Sequence, residues 1–221
     1  MDRFFSMESS FWQFISKLGW AVLFNIVFIV TSLPIISIGA SYTALLTVMQ
    51  NVVKDEKSGY IKLYFKAFVY NFIPSTIIWV ISACVCIIWY LDLSYFGSLG
   101  TIYGNVAFGI SLCLMILSLM YILTIFAVQA KFEGTLKETF QRAFMILTKD
   151  FIFVLIAAVF FVVIIVGITY SVIVRNVFSW MVIIMFGLNG LILSYIYNKI
   201  FKKYVEEDES NEEGLMDEWS E

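Results

Sequence analysis

The fold class predicted for this chain is all-α: a polytopic bundle of transmembrane helices. Three observations predict it. First, 61% of the 221 residues are hydrophobic and only 14% are charged, with a mean hydropathy of +0.90; soluble domains run near 45–50% apolar and about 25% charged. Second, the apolar stretches run without interruption for about twenty residues or more, the length that crosses a bilayer as a helix. A membrane barrel would instead show segments of about ten residues alternating in polarity. Third, lysine and arginine are confined to alternate connections, the bias that orients membrane helices. Lipid offers no hydrogen bonds to exposed amides, so spans of this kind are helical.

The first element is the hardest to count, because no charge occurs from Leu18 to Val53. Pro34 removes a backbone donor and Gly39 permits a tight reversal. Ser41 or Thr43 then supplies a cap for a returning helix that ends near Lys54. This reading makes a hairpin and gives six spans; a single crossing over residues 18–53 gives five. The returning helix carries Thr47, Gln50 and Asn51 on one side, so it is expected among other helices. Later spans are read at Phe72–Leu91, Ile102–Ala130, Phe151–Val174 and Val177–Asn198, with Arg175–Asn176 as a tight connection. Trp89 and Tyr90 close the first of these as interfacial aromatics.

Basic residues fall into three groups: Lys54, Lys57, Lys62 and Lys66; Lys131, Lys137, Arg142 and Lys149; and Lys199, Lys202 and Lys203. The alternate connections hold only Asp92 and Arg175, which are placed to pair weakly across that face. The three basic groups belong on one side, the cytoplasmic one. With the hairpin, both termini lie there too. Two domains follow. Residues 1–205 form the membrane body, with 14 basic and 8 acidic residues, and 206–221 form an acidic tail with nine acidic residues and no basic one. Such a tail is too charged to order itself by burial, although Leu215, Met216 and Trp219 give it the makings of a docking peptide.

Two basic connections share a pattern. "GYIKLYF" (Gly59–Phe65) and "GTLKETF" (Gly134–Phe140) read G-x-[I/L]-K-x-x-F, and each precedes a span that opens on phenylalanine. Glycine in each is expected to end the incoming helix. Ile61, Phe65 and Phe68, like Leu136, Phe140 and Phe144, recur at helical spacing against a charged face. That predicts two short amphipathic cytoplasmic helices on the membrane surface. Gly59, Lys62, Phe65, Gly134, Lys137 and Phe140 are their candidate partner-docking residues.

The stretch "SLPIISIGASYTAL" followed by "VVKDEKSGYIKLYFKAFVYNF" is similar to the YesL-like family of small bacterial membrane proteins, a domain of unknown function. The likeness covers about residues 15–82. It implies a protein of the cell membrane whose relatives are often encoded beside sugar-import ABC transporters and carbohydrate-degrading enzymes. No catalytic residues accompany it.

Chemistry is sparsely signposted. The chain has no histidine, which excludes a Ser-His-Asp set and the H-E-x-x-H metalloprotease motif. Cys84, Cys86 and Cys113 all lie in apolar spans and are read as packing residues. No enzyme, cofactor or metal site is expected, and no nucleic-acid partner. Polar groups at membrane depth mark the candidate site: Asn25, Thr47, Gln50, Asn51 and Asn189, any of which can also serve as interhelical glue. Small residues Gly104 and Gly109, and Gly187 and Gly190, are expected at close helix contacts. Two roles fit. One is an accessory component of a carbohydrate ABC importer, touching its permease or ATPase. The other is a stand-alone membrane protein that binds or transports a small molecule near Asn25 and Gln50. In either case the partner common to both is the lipid bilayer.

Overall fold

The computed structural model describes residues 10–55, 59–173 and 186–205, with side chains described over 12–55, 59–163 and 186–205. The described residues are helical almost throughout and contain no strand. The order is α1 (Ser10–Thr31), a 3-10 turn (Ile35–Ser37), α2 (Ile38–Val53), α3 (Tyr60–Tyr70), α4 (Phe72–Ser98), α5 (Ile102–Lys131), α6 (Leu136–Lys149) and α7 (Phe151–Ile173). A further helical stretch covers 186–205 and is called here the C-terminal helix. Among the described residues four helical stretches are long and apolar enough to cross a membrane, and five if the bent α6–α7 pair is taken as one. The chain is a helical membrane bundle.

The first break is a hairpin. Pro34 adopts an extended conformation (φ −73°, ψ 118°) at the head of the 3-10 turn. The Ser37 hydroxyl reaches the carbonyls of Thr31 (2.6 Å) and Pro34 (2.7 Å), tying the turn to the end of α1. At the opposite end of the hairpin the Lys17 ammonium donates to the Val53 carbonyl (3.1 Å) and to Asp55 (2.9 Å). The start of α1 and the end of α2 are therefore neighbours. Two details differ from the sequence reading. Ser37, not Ser41 or Thr43, stands at the N-cap, and it makes no side-chain cap bond. Gly39 lies inside α2 rather than in the reversal; its absent side chain lets α2 press on the Ser75 carbonyl and the Trp79 Cβ of α4.

Helix α2 is the axis of the bundle. In its apolar stretch 72% of residues are buried, against 17% for α4 and for α5 and 22% for α1. Such a helix has no lipid-facing side, so its small and hydroxylated residues (Gly39, Ala40, Ser41, Thr43, Ala44) set close packing on every face. The expectation that the returning helix is enclosed is met.

Helices α3 and α4 run back along α2. Trp20 and Phe24 of α1 stack in step on Tyr60 and Tyr64 of α3 (5.0 and 5.7 Å between ring centroids). A four-residue step matched on both partners means that α3 runs beside α1 rather than across it. The membrane-surface orientation expected for both short helices thus does not hold for α3. It suits α6, which meets α7 at a bend of 102°. Thr135 caps α6 by accepting from the Glu138 amide (3.4 Å), with Glu138 as the returning partner of a capping box.

The α4–α5 hairpin reaches past the first one. The Ile36 carbonyl accepts from Thr76 (3.4 Å), so the α1–α2 turn sits beside the opening turns of α4. From there to Ser98 the helix continues for about 30 Å at 1.5 Å per residue. The turn of α1–α2 is therefore not level with the α4–α5 connection, as six equal crossings would require. The projecting part carries exposed Ile87, Ile88, Leu91, Val106 and Ile110, an apolar surface suited to lipid. Asp92, assigned to the connection from sequence, lies within α4 and accepts from Ser111 of α5 (2.5 Å). The expected partner Arg175 lies outside the described residues, as do the Arg175–Asn176 connection, Lys57 and the acidic tail.

Candidate functional site

Where α2, α3 and α5 converge, a cleft of about 340 Å³ opens to the surface. Thr47, Gln50 and Asn51 line it from α2, Lys66, Tyr70 and Asn71 from α3 and its end, and Gln129, Lys131 and Glu133 from α5 and the residues after it. Its wall is hydrogen-bonded into the bundle. Thr47 Oγ1 lies 3.0 Å from the Ala130 carbonyl and 3.0 Å from that of Thr43. Gln50 Nε2 donates to the Ala127 carbonyl (3.3 Å), and the Gln50 carbonyl accepts from Asn198 Nδ2 (3.0 Å). Asn51 Nδ2 donates to the Thr47 carbonyl (2.8 Å).

Behind the cleft runs a buried chain of three side chains. Thr139 of α6 donates to Gln129 Oε1 (3.0 Å), and Gln129 Nε2 donates to Asn71 Oδ1 (2.8 Å). Asn71 Nδ2 in turn donates to the Ala67 carbonyl of α3 (3.1 Å). All three residues are buried. The chain joins both short helices through α5, and each amide has one orientation that satisfies it. Asn71, Gln129 and Thr139 escape notice in the sequence because each is a lone polar residue at the edge of an apolar run; their convergence is tertiary. Asn71 did have one local signal, its place immediately before a span that opens on Phe72.

The five polar residues picked from sequence separate into two kinds. Thr47, Gln50 and Asn51 share the cleft. Asn25 does not: it is fully buried on α1 and its Oδ1 accepts from the Gly187 amide (2.8 Å). At that contact the Gly187 Cα rests on the Ala21 backbone, so Asn25 and Gly187 form a helix-packing joint. Asn189 is buried on the C-terminal helix, and its Oδ1 is among several buried oxygens without a hydrogen bond, with Ser41 Oγ, Tyr42 OH and Ser194 Oγ. Gly190 packs on Met49 and Leu45, as expected of a small residue, whereas nothing lies close to Gly109.

Of the six candidate docking residues, Gly59, Lys62, Phe65, Gly134 and Lys137 are exposed. Phe140 is half-buried against Tyr121, whose hydroxyl donates to the Phe140 carbonyl (3.0 Å). Gly59 occupies the left-handed region (φ 71°) ahead of α3 rather than ending α2. Gly134 has no positive φ, and α5 stops at Lys131. On α3 the exposed residues include Ile61, Phe65 and Val69, one apolar stripe, flanked by Lys62 and Lys66. The inward face holds Tyr64, hydrogen-bonded to Thr31 Oγ1 (2.7 Å). Burial pushes its phenol up from the ordinary value, partly opposed by the hydrogen bonds from Thr31 and Ser41.

The cleft holds amides, hydroxyls, two ammonium groups and one carboxylate. That set binds by hydrogen bonds and charge; it contains no nucleophile with an adjacent base. Among the described residues no three metal-ligating side chains come together, and the three cysteines are free and exposed on the bundle surface. No curated protein and no solved structure matches the chain. Residues 21–93, most of α1 through most of α4 and half of the cleft wall, are similar to the family described as "Protein of unknown function, DUF624".

Proposed function

We propose that this chain is a non-enzymatic accessory component of carbohydrate uptake, sited in the cell membrane with its basic end and both termini in the cytoplasm. In this role α3 and α6 dock on the permease or ATPase subunit of an ABC importer. The observation that carries the reading is the pair of short helices with exposed apolar and basic residues, braced to one another by the Asn71–Gln129–Thr139 chain. A braced platform suits recognition of a protein surface, since little ordering remains for binding to impose. The YesL-like resemblance over residues 15–82 supports the choice of partner, and the similarity of residues 21–93 to a family of unknown function is compatible with it. Affinity capture from native membranes, read by mass spectrometry, tests the proposal. An importer subunit recovered with the unaltered chain and lost with Phe65→Glu and Lys137→Glu together is the expected result. Recovery of no transporter subunit defeats it.

A second reading rests on the cleft itself. At about 340 Å³ with an amide-rich wall, it is within the size of small-molecule sites. Under this reading the purified protein binds a small polar ligand unaided. Thermal stabilisation by one member of a sugar panel, lost in Gln50→Leu, decides for it.

A further inference from the structure

A second cavity, of about 580 Å³, lies where the ends of α2 and α5 meet the C-terminal helix. Lys54, Lys131, Lys199 and Lys202 line it together with Asn198, Phe201 and Val205, and its lining includes no carboxylate. The four lysines come from three separate elements, so their gathering is a product of the fold. Lys199 also stands over the Phe153 ring, 5.1 Å from its centroid. Nearby carboxylates are committed elsewhere: Asp55 to Lys17, and Asp150 to the Tyr204 hydroxyl (2.7 Å) with Lys203 at 3.8 Å. Like charges crowded around one cavity favour an anionic occupant.

We propose that the occupant is this chain's own acidic tail, residues 206–221. The tail begins at Glu206, directly after Val205, which itself lines the cavity. Its first four residues, Glu206, Glu207, Asp208 and Glu209, are all acidic, and no basic residue follows. Eight residues of extended chain span roughly 26 Å, so Glu212 and Glu213 can also fold back to the lysines. Attachment raises the local carboxylate concentration into the millimolar range without any new contact. An anionic lipid headgroup offers the same charge but neither the tether nor the run of carboxylates. The tail thereby masks a basic surface that would otherwise be open to anionic ligands.

The test is amine footprinting in nanodiscs of phosphatidylcholine alone. The full chain, a chain ending at Val205 and a full-length E206Q/E207Q/D208N/E209Q variant are acetylated under limiting reagent, and each lysine is read by mass spectrometry. Circular dichroism confirms that all three are helical. Lys54, Lys131, Lys199 and Lys202 are expected to react about threefold or more faster without the acidic tail, with Lys62 and Lys137 unchanged as internal references; about 1 M salt, which shortens screening to roughly 3 Å, should erase the difference. Equal rates in the full and shortened chains overturn the proposal. So does protection that appears only with phosphatidylglycerol and survives truncation, which would assign the cavity to a lipid headgroup.

Discussion

At Gly39 and Gly187 the surface of one helix rests against the backbone of another, so an added methyl group has nowhere to go without moving a helix. Gly39→Ala would set its Cβ into the Ser75 carbonyl and the Trp79 Cβ, and Gly187→Ala into the Ala21 backbone. Overpacking of this kind costs about 1–3 kcal/mol. Gly109→Ala, with nothing nearby, is the matched control and should be neutral or slightly stabilising, since alanine favours helix over glycine by roughly 1 kcal/mol. Thermal unfolding of the three variants in one detergent ranks them; a Gly109→Ala protein that melts with the other two would refute the contacts. The polar chain makes a separate prediction. Removing its middle member in Gln129→Leu strands Asn71 and Thr139, and the Asn71→Leu/Gln129→Leu cycle should give a coupling of about 0.6 kcal/mol, the average for interhelical hydrogen bonds in membranes. Zero coupling in equilibrium unfolding would mean that the two amides do not bond.

Between elements, the decisive relations are which helix is central and which run together. Helix α2 is the least apolar of the four candidate spans yet the most buried. The two facts have one cause: lipid contact demands apolar side chains, and a helix surrounded by others is released from that demand. Helices α3 and α6 share a motif but not an orientation. Tyr60 and Tyr64 tie α3 to α1 through stacked aromatic pairs, whereas α6 turns about a right angle into α7 and is held near the C-terminal helix through Asp150 and Tyr204. Spin labels read this difference. On α3, a label at Phe65 should favour lipid-soluble oxygen and one at Lys62 a water-soluble relaxant. A label at Tyr64 should be reached by neither, and reach by both would displace α3 from α1.

For the whole molecule, the order of ends follows from a few contacts. Lys17 meets Asp55, Lys54 shares a cavity with Lys131 and Lys202, and Asp150 meets Tyr204. The basic clusters they belong to therefore gather toward one end, and the α4–α5 connection near Gly100 lies far from it. In a background without the native cysteines, a cysteine at Gly100 should be labelled by an impermeant maleimide in intact cells, and one at Lys137 only after the membrane is opened. The reverse pattern would invert the proposed orientation while leaving the fold intact.

Helical class, membrane residence, the reversal near Pro34 and the segregation of basic residues were legible in the residues themselves. Each rests on a local rule: apolar run length, a proline without an amide hydrogen, and charge that resists entering lipid. The same rules place Thr47, Gln50 and Asn51 together, because their spacing puts them on adjoining faces of one helix. They do not reveal that Asn71, Gln129 and Thr139 meet, that Gly39 serves an interhelical contact instead of a turn, or that the α4–α5 hairpin outreaches the first. These features depend on how far one helix slides along another, and that is set by where small residues let two backbones touch. A bilayer rewards apolar length but is indifferent to such registry, so only the packed tertiary structure decides it.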